Sequence, residues 1–240
     1  MAAEWAGFVS VGQCEFADYP TKVLEKHWPN VPRWRDIRDV TNESIRERIG
    51  GSKITLMSGG FPCQPHSLAG KRQAADDERD LWPEFRRVIG EVAPKWVLGE
   101  NVSGLLTSDY GRFFRGILGD FSELGYSVGW ATYRACTVGA FHPRNRTFIV
   151  ANLSGERMER GCEKQILWKS DIQKRQISEP FQEAERRYDT FESRLCRTLH
   201  GIPGGVDSVK CLGNAVVPQQ VYPILQAIAD IERSKHNDRI

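Results

Sequence analysis

Hydrophobic residues along this chain follow two recurring patterns. Short apolar or β-branched blocks alternate with longer stretches in which apolar positions return every three or four residues. Residues 9–15 (VSVGQCE) form a short β-prone block. Residues 18–28 (DYPTKVLEKHW) carry helical spacing at Val23, Leu24 and His27, with Asp18 placed to cap the helix and Pro20 tolerated in its first turn. Residues 53–58 (KITLMS) predict a buried strand that runs straight into Gly59-Gly60. Residues 81–92 predict a helix with Pro83 near its start, and 95–99 (KWVLG) another apolar strand. Residues 110–124 predict a helix weakened by Gly111, Gly116 and Gly119, while 128–135 and 147–151 read as strands. Residues 218–231 are amphipathic, with Val221, Leu225, Ile228 and Ile231 on one stripe.

Short strands alternating with helices predict an α/β fold, a doubly wound, mostly parallel sheet. In such sheets the ligand crevice lies beyond the C-terminal ends of the strands. Chemistry is therefore sought at Glu15, at 59–64 and at Glu100-Asn101. Residues 152–192 break the pattern: they are rich in charges of both signs and poor in β-branched residues, which predicts a small, irregular, solvated insertion. The expected organisation is a main domain over 1–151, the insertion over 152–193, and a segment over 194–240 that returns to the main domain.

Composition narrows the field. The chain of 240 residues carries 33 Lys+Arg against 31 Asp+Glu, so a nucleic-acid surface has to be a local patch rather than a global field. Its six cysteines include no C-x-x-C pair, which argues against a structural metal site, and none is expected. Scattered cysteines, no apolar run long enough to span a bilayer and no signal-peptide pattern predict a cytoplasmic protein without a membrane partner.

Four short segments carry candidate chemistry. The first is GGFPCQPHS (59–67), directly after a strand: two glycines permit close backbone approach, Pro62 restricts the loop, and a cysteine at a strand end can be exposed and activated. The second is Glu100-Asn101-Val102, where a carboxylate at a strand end can act as a general acid. The third is Arg144-Asn145-Arg146, whose guanidiniums share a face if the segment is extended. The fourth is GNAVVP (213–218), leading into the last helix. Each alone reads as an ordinary turn or surface feature.

Together and in this order, GGFPCQPHS, ENV, HPRNR and GNAVVP resemble the DNA (cytosine-C5) methyltransferase family. The resemblance implies methyl transfer from S-adenosylmethionine to C5 of a cytosine flipped out of double-stranded DNA, through a covalent adduct on Cys63. It assigns Glu100 to N3 and the exocyclic amine of the base. Arg146 would hold the base oxygen and orient that glutamate, and Arg144 would support the cysteine loop. Pro62, Gln64 and Ser67 would shape the loop that closes on DNA. On the cofactor side it assigns Glu15 to the ribose hydroxyls, Phe16 to the adenine ring and Asp36-Ile37 to the adenine edge. Leu81, Asn214 and Val216 would complete that pocket.

Two departures from the family pattern follow. Members of that family open with a strand and a Gly-rich loop; here residues 2–8 resemble the helix after that loop, so the fold is expected to lack its first strand. In the family's sheet that strand lies between those expected at 9–15 and 53–58, which predicts unpaired strand edges. The second departure is a short target-recognition region. Besides an active methyltransferase, these departures admit a catalytically impaired DNA-binding or partner subunit of a split enzyme, with a second chain supplying the missing segment. They also admit an enzyme acting on structured RNA.

Overall fold

A computed structural model describes residues 1–51, 53–62, 81–140, 144–153 and 215–237. Cys63, Gln64, Ser67, Asn214 and almost all of the 152–193 insertion lie outside the described residues. The chain divides into two compact units: one from Met1–Arg35, Tyr133–Arg144 and Arg160–Ile240, the other from Asp36–Thr132 and Asn145–Glu159.

In the first unit, helix α1 (Ala2–Trp5) precedes strand β1 (Gln13–Cys14), helix α2 (Asp18–His27) and strand β2 (Arg33–Trp34). The predicted block 9–15 contributes only two residues to a ladder, because its parallel partner β2 is itself two residues long. Val9 and Val11 are left exposed. Asp18 does not cap α2: Ala17 is the N-cap, and the Asp18 carboxylate instead takes the guanidinium of Arg35 at 2.5 Å. The turn into α2 is tied by Thr21, whose hydroxyl lies 2.7 Å from the Ala17 carbonyl and 3.2 Å from that of Glu15. The last helix, called α6 here (Pro218–Asn237), runs beyond its expected end. Of the predicted stripe it buries Val221, Leu225 and Ile228, together with Ile224, while Ile231 is only half-buried; Trp5 of α1 meets Tyr222 edge to face at 6.0 Å.

In the second unit a 3-10 turn (Ile37–Asp39) and helix α3 (Asn42–Ile49) come first. The sequence reading missed α3. Its signal is a capping box in which Thr41 and Ser44 exchange side-chain-to-backbone bonds, with serine where glutamate is more usual. Strands β3 (Leu56–Gly60), β4 (Trp96–Val102), β5 (Ser127–Arg134) and β6 (Asn145–Asn152) form a sheet in the order β3-β4-β6-β5. β3 and β4 are parallel, as expected; β6 runs antiparallel to β4, so the sheet is mixed. β1 pairs with β2, and β3 with β4. Helices α4 (Trp82–Val92) and α5 (Arg112–Glu123) supply Trp82, Phe85, Ile89, Phe114, Ile117 and Phe121 to one core with Val97, Ile149 and Ala151 of the sheet. α5 begins two residues later than expected because Tyr110 and Gly111 take left-handed backbone conformations that no α-helix can continue.

Gly59 and Gly60 belong to β3 rather than to the loop after it. Alternation sends their missing side chains to opposite faces, and each absence makes room for something. A Cβ on Gly59 would lie 2.9 Å from the Phe85 ring, and one on Gly60 would lie 3.1 Å from Glu100 Oε2. Gly59→Ala is therefore expected to overpack the core and cost about 1–3 kcal/mol of stability. Gly60→Ala should instead displace the Glu100 carboxylate. Urea denaturation of Gly59→Ala checks the first outcome, and a structure of Gly60→Ala the second.

Candidate active site

The register of β3, β4 and β6 assembles the site. Glu100 lies opposite Gly60 on one side and opposite Phe148 on the other; Arg146 lies opposite Val102. Arg146 is thus a diagonal neighbour of Glu100 on the same face, a spacing that long side chains span. Its Nε stands 2.7 Å from Glu100 Oε1 in an ion pair, and the two side chains are only 14% and 17% exposed. Gly60 leaves the space across which the other carboxylate oxygen lies. One antiparallel ladder brings together two side chains far apart in sequence, Glu100 and Arg146. A pair this far removed from water is sensitive to loss of either member, since the survivor keeps its desolvation cost without its partner.

Asn101 points to the opposite face and is 3% exposed. Its Nδ2 donates to the Phe61 carbonyl at 3.0 Å, while its Oδ1 accepts from Val102 N–H at 2.8 Å. The Phe61 ring is buried 5.0 Å from Trp82 and 6.1 Å from Phe85. Backbone and side chain of Phe61 are therefore both fixed, two residues before Cys63. Asn101 falls in the flagged Glu100-Asn101 pair and Phe61 in the flagged segment 59–64, but sequence reasoning assigned neither a role of its own. The available signal was that consecutive residues of a strand face opposite ways, so in ENV the glutamate and the asparagine must serve different partners. Asn101→Ala leaves a buried carbonyl without its donor and should cost about 1–3 kcal/mol. Urea titration of the variant measures that loss.

The two arginines of the HPRNR segment have different partners. Arg146 takes Glu100, whereas Arg144 Nη2 donates to the Ala215 carbonyl within the first unit. The expected cofactor residues are distributed over both units. In the first, Glu15 Oε1 accepts from Ala17 N–H at 2.8 Å, and the Phe16 side chain next to it is 76% exposed. The Phe16 carbonyl accepts from Arg35 Nη2 at 2.6 Å. Val216 is half-buried just before α6. In the second, the Asp36 carboxylate caps the 3-10 turn through Arg38 N–H at 2.9 Å and pairs with its guanidinium at 3.2 Å. The Ile37 carbonyl accepts from Arg87 Nη2 at 3.0 Å. Leu81 is the N-cap of α4, and its carbonyl accepts from Phe85 N–H. Pro62 is exposed at the last described position before Cys63. Among the described residues no cluster of three or more His, Cys, Asp or Glu could hold a metal ion, and no helix is long and apolar enough to cross a membrane.

The chain belongs to the C-5 cytosine-specific DNA methylases: the model of that family matches residues 1–200. Among similar proteins are the Type II methyltransferase M.NgoMIV of Neisseria gonorrhoeae, 36% identical over 151 residues, covering 63% of this chain and 47% of that protein. M.PspPI of Psychrobacter is 39% identical over 152 residues, covering 62% of this chain and 36% of that protein. M.AquIA of Picosynechococcus is 33% identical over 163 residues, covering 63% of this chain and 66% of that protein. The chain thus spans less than half the length of the first two. Among solved structures, the Dnmt2 methyltransferase of S. pombe superposes with a TM-score of 0.52 at 19% identity, covering 63% of this chain and 46% of that one. The DNMT2 of Spodoptera frugiperda gives 0.51 at 19%, covering 63% and 45%. At these identities the likeness establishes the α/β fold.

Proposed function

We propose that this chain carries the base-handling chemistry of a DNA cytosine-C5 methyltransferase, with Cys63 as nucleophile and the Glu100–Arg146 pair as its electrostatic partner. The observation that carries the reading is that pair: a carboxylate and a guanidinium 2.7 Å apart, largely out of water, with Gly60 opening the floor beneath them. C5 of cytosine is a weak nucleophile. Addition of the Cys63 thiolate to C6, with Glu100 sharing a proton with N3, pushes the ring electrons onto C5. After alkylation at C5, loss of the C5 proton to a base lets the C6–S bond break and returns the thiolate. Arg146 fixes the Glu100 carboxylate and is assigned to the base oxygen in this reading. Such fixed charges act most strongly in a site closed to water, and the target base has to leave the duplex to reach one. Pro62, Gln64 and Ser67 then shape the loop over it.

The methyl donor of this reading is S-adenosylmethionine, which when bound supplies an electrophilic methyl group on a sulfonium. The first unit has the chemistry to hold its adenosine part. Glu15 offers carboxylate oxygens suited to a vicinal diol, and the exposed Phe16 offers an uncovered aromatic face. Asp36, Ile37, Leu81, Asn214 and Val216 are proposed to complete that binding, and double-stranded DNA is the proposed partner. Incubation of the full chain with labelled S-adenosylmethionine and either duplex DNA or tRNA tests the reading. Label is expected in DNA as 5-methylcytosine. Label confined to tRNA, or retained cofactor and DNA binding without any transfer, would overturn it.

A further inference from the structure

In the first unit, the segment just before β6 and the start of α6 exchange side-chain-to-backbone hydrogen bonds in both directions. Gln220 is 2% exposed, and its Nε2 donates to two carbonyls, those of Tyr133 and Arg144, each at 3.1 Å. Because both partners are acceptors, the orientation of this amide is fixed by the bonds themselves. In return, Arg144 Nη2 donates to the Ala215 carbonyl. The Arg144 carbonyl also accepts from Ala135 N–H at 3.1 Å, so this peptide receives two donors. Among the described residues the buried Gln220 Oε1 has no hydrogen-bond partner, a cost that an apolar side chain of the same length would avoid. Burying a glutamine here is favoured only through the two bonds its nitrogen donates.

We propose that Gln220 and Arg144 are positioning residues: a reciprocal clasp that fixes the backbone at position 144 and so sets where β6 begins, two residues before Arg146. The same clasp holds Ala215, next to Val216. Neither residue needs to touch substrate for this role. The catalytic part of the inference rests on the reading given under Proposed function; the backbone part does not.

The test compares the full chain with Gln220→Met, which keeps length and burial but donates nothing, and with Arg144→Met and Arg144→Lys. Amide hydrogen exchange is read at Ala135 and across 145–152, together with kcat and the KM for S-adenosylmethionine. Gln220→Met and Arg144→Met are expected to speed exchange at those positions by about tenfold, the size expected for losing one or two buried hydrogen bonds. They should lower kcat by a similar factor and leave KM within about threefold. Arg144→Lys, which retains a donor for the Ala215 carbonyl, should recover part of both. Unchanged exchange at Ala135 and in β6, or acceleration spread evenly over the chain, would overturn the clasp. Local acceleration with kcat unchanged would overturn its positioning role. If Gln220→Met does not fold, Arg144→Met reads the same clasp from its other end. If the unsubstituted chain transfers no methyl group, the functional reading fails, while exchange still decides the clasp.

Discussion

Cys63→Ser is expected to abolish methyl transfer, lowering the single-turnover rate by more than about a thousandfold while cofactor and DNA affinity stay within a few-fold. The reason lies in the substrate. Without a bond to C6, cytosine C5 has too little electron density to attack a methyl group, and a serine hydroxyl is a far poorer nucleophile than a thiolate at neutral pH. Binding should survive because the substitution is nearly isosteric, and Phe61, two residues before it and held by Asn101 and Trp82, is untouched. Rapid-quench kinetics with labelled cofactor, alongside DNA-binding titration, separates the two. A rate within tenfold of the parent would remove the nucleophile from the account.

The second large effect is expected at the ion pair. Glu100→Gln keeps the shape of the side chain but removes the charge opposite Arg146 and the ability to exchange a proton with N3. The rate should fall by about 10²–10⁴-fold, the usual contribution of a positioned acid or base. Arg146→Ala should fall comparably and also lose stability, because the Glu100 carboxylate, 17% exposed, keeps its burial without its cation. The double variant tests whether the two act as one device. If Arg146 works through Glu100, the combined loss will be much smaller than the product of the single losses. Independent, multiplying losses would contradict the pairing. Chemical denaturation of the same proteins should place Arg146→Ala below Glu100→Gln in stability.

Much of this was legible in the sequence because local pattern and tertiary demand agree. Residues 95–99 read as a buried strand and are one; α2, α4, α5 and α6 fall within a few residues of where periodicity and caps place them. Where the reading slipped, a partner elsewhere in the chain decided. Residues 9–15 have strand chemistry throughout, but a two-residue partner limits the ladder. Asp18 has the right side chain for a cap, but Arg35 competes for it successfully. The glycine pair looked like loop until pairing with Gly99 and Glu100 drew it into β3. The mixed sheet follows the same logic, since nothing local in 145–152 states which way the strand runs. In the site, residue types flagged Glu100 and Arg146. Their meeting depends on the β4–β6 register, which no short-range pattern encodes. Asn101 was flagged beside Glu100 but without a role, and Gln220 not at all, because the work of both is done on backbone carbonyls far away in sequence.

The most direct measurement is covalent trapping. Duplex DNA carrying 5-fluorocytosine at the target position blocks loss of the C5 substituent, so a reaction through C6 addition halts as a protein–DNA adduct. Mass spectrometry of tryptic peptides after incubation with S-adenosylmethionine is predicted to find the modified pyrimidine on the peptide containing Cys63. Yield should be strongly reduced in Arg146→Ala and absent in Cys63→Ser. An adduct mapped to another cysteine, or full methylation of normal DNA with no adduct on the fluorinated duplex, would contradict the account.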